Sequence, residues 1–76
     1  MKLAELDSDS FGKYVSGFDS MELLVKKHRK ELDEVVSEAM ERAKKQPIPP
    51  NIIIRCSDGD RMSLPFTYEQ YREMCK

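Results

Sequence analysis

One uninterrupted stretch, residues 19–46, most constrains what this chain can fold into. It contains neither glycine nor proline, and Pro47 directly after it prevents a helix from continuing. Apolar side chains recur in it at steps of three and four, which is the spacing of one helix face. The positions on that face are Met21, Leu24, Val25, His28, Leu32, Val35, Val36, Ala39, Met40 and Ala43. This pattern predicts one long amphipathic helix, about 40 Å in length, whose apolar face packs against a core.

The start of this helix carries two local signals. Asp19 and Glu22 have the spacing of a capping box, and Phe18 and Leu23 occupy the positions of a hydrophobic staple. The polar face is rich in oppositely charged residues four positions apart, and each such pair contributes only about 0.2–0.5 kcal/mol. These pairs are Lys27 with Glu31, Arg29 with Asp33, Lys30 with Glu34, Glu38 with Arg42, and Glu41 with Lys45. We therefore expect a solvated, self-neutralised outer face.

The next segments predict a connector and a β-hairpin. Residues 47–50 are proline-rich and extended, because a residue that precedes proline is disfavoured in the α region. Residues 51–66 hold two β-prone runs around a turn. A three-residue loop with Gly59 in the left-handed region pairs Ile54 with Met62 and Ile52 with Leu64. This register places the apolar side chains on one face: Ile52, Ile54, Cys56, Met62, Leu64 and Phe66.

The two ends of the chain are shorter. Residues 1–18 form either an acidic arm or a short helix that Asp7 caps, with Gly17 after its end. Residues 67–76 predict a C-terminal helix, since Thr67 and Gln70 form a second capping-box pattern. The sequence therefore predicts a single α+β domain in the order short α, long α, β-hairpin, short α. The hairpin and the terminal helix would pack on the long helix.

Composition narrows the class of protein. The chain has 76 residues, a formal net charge of −1 and 36% charged residues, which fits one small domain with a heavily solvated surface. It has no apolar run long enough to cross a membrane, and its first residues lack the apolar core of a signal peptide. We expect a cytoplasmic protein in which Cys56 and Cys75 are free thiols.

Few residues point to catalysis. His28 is the only histidine, and it lies within the apolar face of the helix, where a histidine is usually a partly buried core residue. The chain has no glycine-rich phosphate loop, no CxxC and no HExxH, and its Ser57–Asp60 segment lacks the ligands of a calcium loop. We therefore expect a protein that is not an enzyme and that needs neither a metal nor a cofactor.

One candidate contact surface is a basic helical turn formed by Lys26, Lys27, Arg29 and Lys30. Such a turn favours nucleic-acid phosphates. The acidic residues that follow it oppose this interpretation, as does the lack of interleaved aromatic residues for base stacking. A small nucleic-acid-binding regulator is therefore the alternative function. A dimeric structural module, with the helix stripe as its interface, is a second alternative.

The other candidate surface is the outward face of the hairpin, formed by Ile53, Arg55, Arg61 and Ser63. The preferred register places Arg55 opposite Arg61, and like charges directly opposite each other destabilise a strand pair. Either Asp58 and Asp60 relieve the arginines, or a partner supplies the acidic group. The second interpretation gives the leading hypothesis: a small regulator or inhibitor, of the kind found in phages and mobile elements, that docks on a larger protein presenting acidic groups.

Overall fold

The computed structural model describes residues 1–75, so Lys76 at the end of the predicted C-terminal helix lies outside the described residues. The α+β architecture and the order of its elements are confirmed: helices come first, then an antiparallel hairpin, then a terminal helix. The elements are a 3-10 turn (Leu3–Glu5), α1 (Ser8–Ser16), α2 (Met21–Lys27), α3 (Arg29–Ala43), β1 (Asn51–Arg55), β2 (Arg61–Thr67) and α4 (Tyr68–Met74).

The prediction of a single helix over residues 19–46 is wrong in one respect: the helix is interrupted at His28 and forms two helices, α2 and α3. The backbone there has φ −111° and ψ 27°, outside the helical range, and α3 begins at the next residue. The break is local, since the His28 N–H still donates to the Leu24 carbonyl at 3.1 Å and the Leu32 N–H donates to the His28 carbonyl at 2.9 Å. The predicted start also moves by one residue, because Ser20 rather than Asp19 caps the helix and accepts a hydrogen bond from the Leu23 N–H.

The hairpin has the predicted three-residue loop. Ile54 pairs with Met62, and Gly59 has φ +91°, the left-handed conformation that the loop requires. The Cys56 N–H donates to the Asp60 carbonyl at 2.7 Å and closes the loop.

Farther from the turn the register differs from the prediction. Asn51 pairs with Thr67, so β2 has two more residues than β1 in this segment, and the expected Ile52–Leu64 pair does not occur. The Asn51 side chain donates to the carbonyl of Leu64 at 3.1 Å. An insertion of two residues keeps the alternation of side chains, so Leu64 and Phe66 still point to the core.

The core lies between one face of the hairpin and the helices. Its buried apolar side chains are Leu3, Phe11, Leu24, Val25, Leu32, Ile52, Ile54, Cys56, Leu64, Phe66 and Tyr71. The predicted helix stripe contributes only its central part, since Met21 is 38% exposed and Ala43 is exposed. Between these ends, Val35, Val36, Ala39 and Met40 are half-buried.

The N-terminal segment is both an arm and a helix. Asp7 caps α1 as predicted and accepts a hydrogen bond from the Ser10 N–H at 2.7 Å. Ahead of the helix, the Leu3 side chain is completely buried. The arm is therefore part of the folded domain.

The terminal helix α4 confirms its sequence signals. The Thr67 hydroxyl accepts from the Gln70 N–H, and the Gln70 side chain accepts from the Thr67 N–H. The hydroxyl of the buried Tyr71 donates to Asp33 on α3, which joins the terminal helix to the middle of the chain. Burial and this hydrogen bond raise the pKa of Tyr71.

Candidate functional site

The outer face of the hairpin brings together the four side chains singled out from the sequence. Arg55 pairs directly with Arg61, and Ile53 pairs with Ser63. The two arginines and the serine are exposed, and Ile53 is half-buried. Burial alternates along both strands, so the helices cover one face of the sheet and leave this one to solvent. We call Ile53, Arg55, Arg61 and Ser63 the hairpin patch.

The acidic residues of the turn form no ion pair with the arginines of the hairpin patch within the described residues. Asp58 Oδ2 accepts from the Ser8 N–H at 3.0 Å and from the Ser8 hydroxyl at 2.9 Å, while its Oδ1 accepts from the Asp60 N–H at 3.1 Å. These hydrogen bonds hold the pKa of Asp58 below its ordinary value. Within residues 1–75, neither Arg55 nor Arg61 forms an ion pair with an acidic side chain.

Asp58 forms a long-range contact with the N-terminal segment that the sequence did not predict. It joins the hairpin turn to the first residue of α1, across 50 positions of the chain. The Ser57 N–H adds a hydrogen bond to the Leu6 carbonyl at 2.9 Å. The acidic turn and the N-terminal segment therefore hold each other in place. Because the Asp58 carboxylate is bound to Ser8, it does not form an ion pair with Arg55 or Arg61.

The basic residues of the predicted helical turn surround a cavity at the helix break. The cavity has a volume of 550 Å³ and lies between the N-terminal arm and the junction of α2 with α3. Its basic lining residues are Lys2, Lys26, Lys27, Arg29 and Lys30, and its other lining residues are Met1, His28 and Glu31. We call it the basic pocket. Lys2 was not singled out from the sequence, because the position of the arm was not predictable from local signals.

Among the described residues, Glu31 is the only acidic one that lines the basic pocket, and its carboxylate binds the N-terminal arm. Glu31 Oε2 accepts from the Leu3 N–H at 2.6 Å, and Oε1 accepts from the Ala4 N–H at 2.9 Å. The predicted ion pair of Glu31 with Lys27 is replaced by these bonds. The Lys27 ammonium lies 5.5 Å from the centre of the Tyr14 ring and 5.8 Å from that of Phe18, within cation–π range.

The other predicted charge pairs on the helix are mostly absent from the described residues. Arg29 Nε lies 3.9 Å from Asp33 Oδ2, as the spacing indicated. Glu41 pairs with Lys44 at 3.2 Å rather than with Lys45. The outer face of α3 is therefore solvated as expected, but neighbouring charges neutralise it less completely than the spacing suggested.

His28 is a buried residue that holds the helix break in place. Its Nε2 lies 2.9 Å from the Tyr14 hydroxyl, and its Nδ1 lies 3.8 Å from Glu31 Oε2. The ring also makes edge contacts with Tyr14 and Phe18. Burial lowers the pKa of His28, and the Glu31 charge opposes this shift. The prediction of a core histidine is confirmed.

The two cysteines are unbridged, with Cys56 buried and Cys75 half-buried. Burial raises the pKa of the Cys56 thiol, as do the nearby aspartates. Among residues 1–75, no three histidine, cysteine or acidic side chains converge in a way that could hold a metal ion. No helix within that range has the length and apolar character needed to cross a membrane.

Comparison with protein-family models, with curated proteins and with solved structures finds no match to this chain.

Proposed function

We propose that this chain is a cytoplasmic, non-enzymatic regulator or inhibitor that docks on a larger protein through the hairpin patch. The observation that carries the proposal is the pairing of Arg55 with Arg61 on an exposed face, where neither forms an ion pair with an acidic side chain among residues 1–75. Of the two acidic candidates in the turn, Asp58 binds Ser8 instead. Asp60 forms no ion pair with either arginine within residues 1–75.

The arginine pair indicates the chemistry of the partner. Two like charges directly opposite each other cost a strand pair stability, of the order of 0.2–1 kcal/mol. A carboxylate placed between the guanidinium groups would remove this repulsion and accept charge-assisted hydrogen bonds from both. Ile53 adds apolar area beside them and Ser63 adds a hydroxyl. The partner surface therefore presents an acidic group next to an apolar contact.

The edges of the hairpin supply further contact area. Four side chains are fewer than the roughly 20–30 residues per side of a standard interface. Within the described part of the chain the sheet has two strands, so each strand has one edge without a strand neighbour there. A partner strand that pairs with such an edge would bring its own side chains over the outer face.

The test is comparative capture from a lysate of the native host. Immobilised wild-type protein is compared with an Arg55→Glu/Arg61→Glu variant and with a Lys44→Glu/Lys45→Glu control, which changes charge equally at exposed positions on the other side of the connector. We expect one protein to be retained by the wild type and the control and lost by the arginine variant. The purified partner should then bind with at least tenfold weaker affinity to the arginine variant, because two charge-assisted contacts are replaced by repulsion.

An Ile53→Asp variant tests the apolar part of the patch in the same assay, with circular dichroism to show that each variant is folded. If the folded Ile53→Asp and arginine variants retained full binding to the purified partner, the hairpin patch would not be the docking site.

A further inference from the structure

The break at His28 changes what the basic turn can bind. On a straight helix, residues 26–30 are spread around the axis by about 100° per position, so they cannot all face one ligand. In the structure, Lys26, Lys27, Arg29 and Lys30 all line one cavity of 550 Å³, and Lys2 of the N-terminal arm completes its lining. The helix break and the arm together convert a dispersed charge pattern into a concave site.

The charged residues that line the basic pocket are mostly of one sign. Among residues 1–75, five basic residues and one acidic residue, Glu31, line it, and the Lys27 ammonium lies over the rings of Tyr14 and Phe18. The two carboxylate oxygens of Glu31 accept hydrogen bonds from the Leu3 and Ala4 N–H groups. Arg29 is partly compensated, since Asp33 lies 3.9 Å away, but both side chains of that pair are more than half exposed. An exposed pair of this kind contributes little and exchanges readily for a better anion.

We propose that the basic pocket binds a compact polyphosphate group, either inorganic triphosphate or the triphosphate of a nucleotide. Its volume falls within the range of small-molecule sites, about 300–1,000 Å³. Several lysines around one cavity suit a ligand with several closely spaced negative charges, because lysine acts as a flexible point charge toward phosphate. The basic pocket shares no residue with the hairpin patch. The proposal of phosphate binding is therefore independent of the proposed docking function.

The surroundings of the pocket favour a compact ligand over an extended nucleic-acid strand. Asp33 and Glu34 are exposed on α3 directly beyond the basic residues, where they would repel a continuing phosphate backbone. The nearby aromatic rings of Tyr14 and Phe18 are half-buried, and the ammonium of Lys27 lies over both. Rings in that position do not offer the open faces on which successive bases stack.

The test is calorimetric titration of the full chain at low salt with sodium triphosphate, with ATP and with a single-stranded thymidine oligonucleotide. A Lys26→Gln/Lys30→Gln variant removes two charges from the pocket, and Lys44→Gln/Lys45→Gln removes two charges elsewhere. We expect wild-type protein to bind triphosphate, the pocket variant to bind at least about tenfold more weakly, and the control to remain within about twofold. Equal affinity for ATP and triphosphate would show recognition of phosphate alone, and tighter binding of ATP would identify a nucleotide as the ligand.

Amide chemical shifts provide a second readout that does not depend on a variant. Triphosphate should shift the resonances of Lys2 and of residues 26–31, and it should leave those of the hairpin loop unchanged. The proposal would be overturned by an absence of binding, by equal losses in the pocket and control variants, or by an oligonucleotide that binds more tightly than triphosphate.

Discussion

At the scale of single residues, the facing arginines of the hairpin are the clearest departure from a strand pair that is optimised for stability alone. Arg55 and Arg61 are paired and exposed, while the nearby Asp58 is bound to Ser8. Folding by itself gains nothing from two like charges at paired positions. This arrangement predicts that stability and docking respond in opposite directions to one substitution.

We expect Arg55→Glu to stabilise the free protein by about 0.2–1 kcal/mol, because the substitution converts a repulsive cross-strand pair into an attractive one. Urea denaturation measures the change. The Arg55→Glu/Arg61→Glu double variant restores like charges and should return to near wild-type stability. If the single variant proved less stable than wild type, an interaction of Arg55 other than this pairing would have to govern the site.

His28 predicts a dependence of stability on pH. Burial holds its pKa below the ordinary value of 6.5 in the folded state; the Glu31 charge opposes this shift, and the charges of Lys27 and of the chain's N-terminus add to it. The unfolded chain therefore takes up a proton at higher pH than the folded chain does. The contribution of His28 to the free energy of unfolding should be constant above pH 6.5, and it should fall as the pH drops below 6.5 toward the folded-state pKa.

Denaturant midpoints measured between about pH 7.5 and about pH 5 test this dependence. A His28→Gln variant should lose the slope in this range, whatever its absolute stability. The carboxyl groups of Asp7 and Asp58 do not interfere, since their pKa values lie below 3.8 and they titrate in more acidic solution. An unchanged slope in the variant would assign the pH dependence to a different group.

At the scale of elements, the boundaries with local causes were predictable from the sequence. Asp7 caps α1, Thr67 and Gln70 cap α4, and Gly59 permits the hairpin loop, and each is a signal carried by neighbouring residues. The alternation of apolar and polar residues along the strands likewise predicts that the hairpin patch lies on the outer face. These features follow from short-range chemistry, so no knowledge of the tertiary fold was needed.

The features that sequence reasoning missed depend on distant partners. The helix break at His28 is held by Tyr14 and Glu31, and Glu31 in turn binds the N-terminal arm 27 and 28 positions away. The uninterrupted apolar pattern gave no sign of it, because the residues on both sides of the break favour helix. The basic pocket was not predictable either, because it depends on the helix break and on the position of the N-terminal arm.

Substitution of alanine for Gly59 and for Gly12 should change the stability of the protein in opposite directions. Gly59 has φ +91°, so Gly59→Ala should destabilise the protein by about 1–2 kcal/mol through strain in the left-handed region. Gly12 lies inside α1, and an added Cβ there would meet no atom within 4 Å. Gly12→Ala should therefore stabilise the helix by about 0.5–1 kcal/mol. Thermal unfolding of both variants checks the pair, and shifts of the same sign would contradict the account.

At the scale of the whole molecule, the chain forms its core without a second copy. Its radius of gyration is 11.9 Å, close to the value of about 11 Å expected for a compact chain of this length. The principal extents are 32, 30 and 18 Å, and the shortest of them fits one layer of helices on one sheet. The core side chains from the arm, the helices and the hairpin are buried within this single chain.

We therefore expect a monomer in solution, in contrast to the dimeric module that the long apolar stripe suggested. The stripe residues at the centre of that pattern, Leu24, Val25 and Leu32, already pack inside the chain. Sedimentation equilibrium over a wide range of protein concentration should give the mass of one chain throughout. A mass that doubles with rising concentration would show that the half-buried face of α3 is an interface.

The N-terminal arm has a kinetic consequence. The bonds of the arm to Glu31, and the bond of Ser8 at the start of α1 to Asp58, close loops of 27 to 50 residues. The hairpin turn and the capping box of α4, by contrast, form between neighbours. Long loops are slow to close, so the arm should dock after the rate-limiting step of folding.

Glu31→Ala should then lower the free energy of unfolding by about 1.5–3 kcal/mol, almost all of it through faster unfolding. The control Glu34→Ala should change neither the folding rate nor the unfolding rate. Stopped-flow measurements would separate the two rates, and a slower folding rate in Glu31→Ala would place the arm in the nucleus instead. On this account the arm sets the lifetime of the folded state and not the speed at which that state forms.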